Sequence, residues 1–196
     1  AAETCPQYLL LDEALYTTAL PGSLAYIMSP PLRTADDRAV LWQALSDGTL
    51  DVVSTDHCPF NIRGQKDRGL HDFTLVPNGT AGVQTRLNLL YTFGVLAGRI
   101  SMNRFVELIS TGPARTFGLY PRKGSLQTGS DADLVIWNPD ASQRITAGSL
   151  AQRCDHTPFE GLVVSGRAEV VIRGGHLLVS DALLTPDPIP GIVIRR

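Results

Sequence analysis

Apolar residues along the first part of the chain recur with two different periods. Leu24–Met28 (LAYIM) is a short apolar run closed by Ser29-Pro30-Pro31. It predicts a buried strand, because proline cannot donate to a ladder and restricts the residue before it. Thr34 then reads as a helix N-cap, with Asp36 and Asp37 in the first turn. Leu41, Trp42 and Leu45 form an apolar stripe at helical spacing, and Gly48 is placed to end that helix. Leu50–Thr55 predicts a second strand. Asn61–Gly69 (NIRGQKDRG) is polar and glycine-rich and predicts a loop. Val83, Leu87, Leu90 and Tyr91 return to the helical period. Ser101 can cap a further helix whose inner face carries Phe105, Leu108 and Ile109. Gly112-Pro113 predicts a break, followed by a short helix ending at Gly118.

After Tyr120 the helical period disappears. Ala132–Trp137 (ADLVIW) predicts a strand. Glu169–Ile172 and His176–Val179 flank Gly174-Gly175, a two-residue loop suited to a primed hairpin turn. The predicted class is therefore α/β, with strands and helices alternating over residues 1–121, a β region over 122–184, and a proline-rich tail over 185–196. A helix longer than two turns between Ser130 and Val179 would contradict the β reading.

Composition narrows the function classes. The 196 residues are 43% hydrophobic and 18% charged, which supports a sizeable core and argues against disorder. A formal net charge of −2 offers no basic field for nucleic acid or an anionic membrane. No apolar run is long enough to span a bilayer. Ala1–Thr4 has neither the basic nor the apolar region of a signal peptide. Cys5, Cys58 and Cys154 are an odd set with wide spacing, unlike a disulfide framework or a metal knuckle. The expected compartment is the cytoplasm. Because Ala1–Leu11 enters an ordered-looking segment with no lead-in, upstream sequence is expected to be missing.

The stretch with most chemistry is VVSTDHCPF, Val52–Phe60. In an α/β barrel, functional groups sit at the C-terminal ends of the strands. Asp56 has that position, where a carboxylate can bind a metal or move a proton. It can equally organise an Asx turn. His57 points away from Asp56 in a strand-like stretch and reads as a supporting or structural group. Cys58 reads as a buried, inert thiol. Ser29 in the proline-rich strand exit and Asn78 in Pro77-Asn78-Gly79 read, from residue type alone, as loop and turn residues. His71, His156 and His176 are scattered and read as surface or structural. The chain has no nucleophile elbow, dinucleotide fingerprint or P-loop.

Six blocks in order resemble the dihydropyrimidinase/D-hydantoinase family of cyclic amidohydrolases. They are ETCPQYLLLD (Glu3–Asp12), MSPPLR (Met28–Arg33), STDHCPF (Ser54–Phe60), DFTLVPNG (Asp72–Gly79), FGLYPRKGSLQTGSDADLVIWNP (Phe117–Pro139) and PFEGLVVSG (Pro158–Gly166). The resemblance covers nearly the whole chain. It implies the C-terminal part of a TIM barrel, with Leu50–Thr55 as the eighth strand, followed by the C-terminal share of a β-sandwich. It implies that Asp56 ligates one of two divalent metals, zinc being the expected ion, and shuttles a proton from water to the leaving ring nitrogen. It also implies that main-chain atoms of Ser29 and Asn78 hold the substrate's imide or amide edge.

The family's other ligands are an HxH pair, a carboxylated lysine and two histidines. All lie upstream in the family, and this chain has none of them. A full barrel needs about 250 residues. The resemblance thus implies ring opening of dihydropyrimidines or hydantoins by the complete protein, a homo-oligomer (a tetramer in the family), and inactivity of these residues alone. A second chain could carry the upstream segment. Allantoinase is a near relative. The collapsin response mediator proteins are non-catalytic relatives, but they lack the acid that this sequence keeps at Asp56.

Overall fold

The capped segment after Thr34 forms as its sequence predicts. In the computed structural model, which describes residues 1–185 and 190–194, helix α2 spans Ala35–Asp47. Thr34 and Asp37 close a capping box: the Asp37 amide donates to Thr34 Oγ1 at 3.2 Å and the Thr34 amide donates to Asp37 Oδ2 at 3.0 Å. The Thr34 hydroxyl also donates to Asp37 Oδ2 at 2.6 Å, and this bond, with that from the Thr34 amide, holds the Asp37 carboxyl below its ordinary value. Gly48 ends the helix at φ 90°, a left-handed conformation that favours glycine. The predicted stripe is the buried face: Leu45 is fully buried and the Trp42 indole donates to the Leu9 carbonyl at 2.9 Å.

Strand β1 (Glu3–Thr4) is followed by helix α1 (Pro6–Leu10) and runs parallel to β2 (Val52–Val53). The parallel bonding continues past both ends of β2, from the Asp51 amide to the Ala2 carbonyl and from the Ser54 amide to the Thr4 carbonyl. Val52 and Val53 are both buried, as expected of a strand covered on both faces.

Three local expectations change. Leu24–Met28 is not a strand: Gly22–Tyr26 winds as a 3-10 helix. The Ile27 carbonyl accepts the distant Gly79 amide, and no strand forms there. Helix α3 (Arg86–Leu90) starts after Val83, which is exposed, and continues as a π-helix over Tyr91–Leu96. Gly112-Pro113 does not break its helix. From the Ser101 cap, α4 (Met102–Val106) passes through a π-helical stretch, Glu107–Thr111, into α5 (Gly112–Thr116). Pro113 lies in the first turn of α5, directly after the π-helical stretch.

Beyond Tyr120 a four-stranded antiparallel sheet has the order β3 (Leu134–Arg144), β4 (Val163–Arg173), β5 (His176–Ser180), β6 (Leu183–Leu184). Between Ser130 and Val179 the only helical piece among the described residues is the 3-10 turn Ala147–Ser149. Gly174 and Gly175 both take positive φ, the requirement of the primed hairpin turn. The predicted tail falls partly on 186–189 and 195–196, outside the described residues.

The main core gathers Leu9, Trp42, Leu45, Val53, Leu90, Tyr91, Ile100, Phe105 and Leu108. Trp137 of β3 packs edge-on against Tyr91, with ring centroids 5.5 Å apart, and so joins the sheet to the helices. The Ser165 amide donates to Thr92 Oγ1 at 2.8 Å, and Asn88 donates to the Gly166 carbonyl. Among the described residues no helix is long and apolar enough to cross a membrane.

Candidate active site

Strand β2 delivers Asp56 to a cavity of about 490 Å³ lined also by Cys5, Tyr8, Pro30, Pro31 and Arg33. The backbone turns sharply here: Asp56 has φ 45°, rare for a residue with a Cβ. Its side chain is exposed. Among the described residues no hydrogen bond engages its carboxylate. That disposes of the Asx-turn alternative. In such a turn the carboxylate would accept from the backbone two residues on, as Asp12 does from the Ala14 amide and Asp72 from the Thr74 amide. The Cys58 amide instead donates to the Thr80 carbonyl at 3.0 Å.

His57 and Cys58 fasten this turn to the segment 80–83. His57 Nδ1 accepts the Gly82 amide at 3.0 Å and the Val83 amide at 3.3 Å. An accepting Nδ1 carries no proton, so the neutral ring holds its proton on Nε2. His57 is thus a structural group, one of the two roles open to it from sequence. Cys58 departs from expectation: its thiol is exposed rather than buried.

The Ser29 segment reaches the same cavity through its prolines. The Tyr8 hydroxyl donates to the Pro30 carbonyl at 3.1 Å. Burial, with the Cys5 and Asp56 charges nearby, pushes the Tyr8 phenol up to about 12, so it stays a donor at neutral pH. Cys5 Sγ lies 3.1 Å from Ser54 Oγ, and burial raises the Cys5 thiol.

Asn78 lies in a separate pocket with Ile27 and Val76. The two loops nevertheless meet through the backbone: the Gly79 amide donates to the Ile27 carbonyl at 3.1 Å. Asp56 and the Ser29 loop therefore share one cavity, while Asn78 is tied to the residues just before Ser29. Ser29 and Asn78 are both exposed.

Sequence reasoning missed Tyr8 and Lys66. Lys66 sits in a stretch that reads as a polar loop, yet it is fully buried. Its ammonium donates to the Ile27 carbonyl at 2.7 Å and to the Pro77 carbonyl at 3.1 Å. Desolvation pushes its pKa down to about 8. His156 is also enclosed, next to Asp155, and burial lowers it. The Asp155 carboxylate accepts the Ile62 and Arg63 amides at 2.7 and 2.9 Å, fastening the loop that carries Lys66.

Among the described residues no three His, Cys, Asp or Glu side chains stand close enough to hold a metal. Asp56, an open carboxylate at a strand end, fits one ligand position. It does not make a site alone, since a catalytic zinc takes about three protein ligands.

Comparison with known proteins gives one consistent answer. Residues 10–178 match the Amidohydrolase family. The D-phenylhydantoinase of Escherichia coli O1:K1 / APEC is 44% identical over 194 residues, which is 99% of this chain and 42% of that protein. The D-hydantoinase structure from Bacillus sp. AR9 superposes with a TM-score of 0.91 at 44% identity, covering 93% of this chain and 40% of that one. The dihydropyrimidinase from Brevibacillus agri NCHU1002 gives 0.90 at 41% identity, with the same coverage. The L-hydantoinase from Arthrobacter aurescens gives 0.84 at 32% identity, again covering 40% of the longer chain. This chain spans less than half the length of these relatives. It belongs to the hydantoinase/dihydropyrimidinase group of the amidohydrolase family and carries part of that group's TIM-barrel fold.

Proposed function

We propose that this chain is the C-terminal portion of a metal-dependent hydrolase that opens a small cyclic amide or imide, a dihydropyrimidine or a hydantoin. In this reading residues 1–121 are the end of the barrel, 122–184 a share of the β-sandwich and 185–196 a tail. The complete protein works in the cytoplasm as a homo-oligomer, with the rest of the barrel supplied by an upstream segment.

The observation that carries the reading is Asp56: an accessible carboxylate with no hydrogen-bond partner among the described residues, on a strained turn at a strand end, opening into a cavity. A carboxylate kept free and strained is better explained by chemistry than by folding. The same residue argues against a non-catalytic binding protein, which has no need of an acid here.

Two divalent ions, zinc by preference, would supply a water of lowered pKa and a polarised carbonyl. Asp56 would hold one of them and take the proton that water loses as its oxygen bonds to the ring carbonyl carbon. It would return that proton to the ring nitrogen as the C–N bond breaks, so that base and acid are one group. Main-chain atoms of Ser29 and Asn78 would receive the imide edge. Tyr8 steadies the first of these loops through the Pro30 carbonyl.

The test is ring opening of dihydrouracil and hydantoin, followed in the ultraviolet with zinc added. The purified chain, shown by intact mass to be free of other polypeptides, is expected to be inactive. Its assembly with an upstream barrel segment is expected to turn over. In that assembly Asp56→Asn should lower kcat by roughly 10²–10⁴-fold, since an amide cannot shuttle the proton. Turnover by the chain alone above the zinc background, or an active Asp56→Asn assembly, would refute the reading.

A further inference from the structure

Lys66 is a buried cation that, among the described residues, forms no ion pair. Its side chain is fully enclosed, and its two hydrogen-bond partners are neutral carbonyls, of Ile27 and Pro77. Burying an ammonium against neutral acceptors costs more than filling the same space with a methionine. Stability therefore does not explain the choice of residue.

Position does. Ile27 lies two residues before Ser29, and Pro77 directly precedes Asn78. The Ile27 carbonyl is shared between the Lys66 ammonium and the Gly79 amide. One point charge thus grips the chain just ahead of both loops assigned to the substrate. The grip is itself anchored. The Lys66 amide donates to the Asn61 carbonyl at 3.1 Å, and the Asp155 carboxylate fixes Ile62 and Arg63. On the other side, a Cβ at Gly69 would lie 2.0 Å from Val76 Cγ2, so the 3-10 turn Lys66–Gly69 packs directly against Val76, the residue before Pro77.

We propose that Lys66 is a positioning residue: its ammonium braces the Ile27 and Pro77 carbonyls against each other and so sets the spacing between the Ser29 and Asn78 main-chain atoms that receive a cyclic imide edge. The substrate part of this rests on the hydrolase reading above. The brace itself rests on the geometry alone. An apolar side chain would fill the volume and leave the two carbonyls unpaired. A glutamine would restore one or both bonds without the charge.

The experiment has two arms. In the first, amide hydrogen exchange is measured on the chain with Lys66, Lys66→Met and Lys66→Gln. Lys66→Met should speed exchange at Gly79 by about tenfold or more, with Leu45 and Leu108 unchanged and Lys66→Gln in between. An unchanged Gly79, or equal acceleration everywhere, overturns the brace. In the second, the zinc-loaded assembly with the upstream segment is assayed with dihydrouracil and two inhibitors. Glutarimide presents the imide edge, whereas acetohydroxamate needs the metals alone. Lys66→Met should raise KM and the glutarimide inhibition constant about tenfold, while kcat and the acetohydroxamate constant move less than about threefold. Equal weakening of both inhibitors assigns Lys66 a purely structural role and overturns the proposal. A wild-type assembly that neither opens the ring nor binds glutarimide overturns the hydrolase reading and the imide part with it, while the exchange result still decides the brace.

Discussion

Gly79→Ala tests whether the loop beside Asn78 is built around a missing side chain. Gly79 has φ 145°, a region that side-chain-bearing residues avoid. A Cβ there would lie 2.5 Å from the Cys58 carbonyl oxygen, 2.8 Å from Cys58 Cβ and 3.0 Å from its sulfur. Neither segment is free to retreat. The Gly79 amide is bonded to the Ile27 carbonyl, and the Cys58 amide to the Thr80 carbonyl. Backbone strain of about 1–2 kcal/mol and overpacking of about 1–3 kcal/mol together predict a loss of roughly 2–5 kcal/mol. Gly48→Ala is the control. Gly48 also has positive φ, 90°, but nothing stands within 4 Å of its Cβ position, so only strain of about 1 kcal/mol is expected. Urea unfolding followed by the fluorescence of Trp42 and Trp137 gives both numbers. The exposed Cys58 thiol offers a local readout, since its reaction with a disulfide reagent should change in Gly79→Ala and not in Gly48→Ala. If Gly79→Ala costs no more than Gly48→Ala, the close approach of the two loops is wrong.

The buried Lys66 makes stability depend on alkaline pH. Its folded pKa of about 8 lies below the ordinary 10.5, so the unfolded chain binds more protons between those values and stability should rise with pH across that window, by at most about 3 kcal/mol. The Cys58 thiol and His156 are the titratable groups facing it, so the comparison is made in a Cys58→Ser background. Lys66→Met in that background should flatten the rise, and denaturant midpoints at pH 7.5 to 10.5 that stay parallel in the two proteins would count against the desolvation argument. Thr34→Ala should cost about 1 kcal/mol through loss of the capping box, read as a shift in denaturant midpoint without a change in slope.

Short-range physics explains what could be read from the chain alone. The α2 cap uses Thr34 and Asp37, three residues apart, and the Gly174-Gly175 turn needs only its own two glycines. The strand end at Asp56 follows from Val52-Val53 and the proline beyond. The order of six sequence blocks pointed to the right family. Other features depended on partners far along the chain. Leu24–Met28 has the apolar character of a strand, but Gly22–Tyr26 winds as a 3-10 helix and the Ile27 carbonyl bonds to Gly79 and Lys66, partners far along the chain. Gly112-Pro113 looked like a break, but the π-helical stretch Glu107–Thr111 runs directly into α5, which holds both residues. Whether Asp56 serves a turn or stays open was undecidable from residue type, because it turns on whether the Cys58 amide bonds to Asp56 or to Thr80. Lys66 marks the limit most clearly. A lysine in a polar stretch is hydrated by default, and its burial is a property of the loops that close over it from residues 27 and 77, which no local pattern around residue 66 encodes.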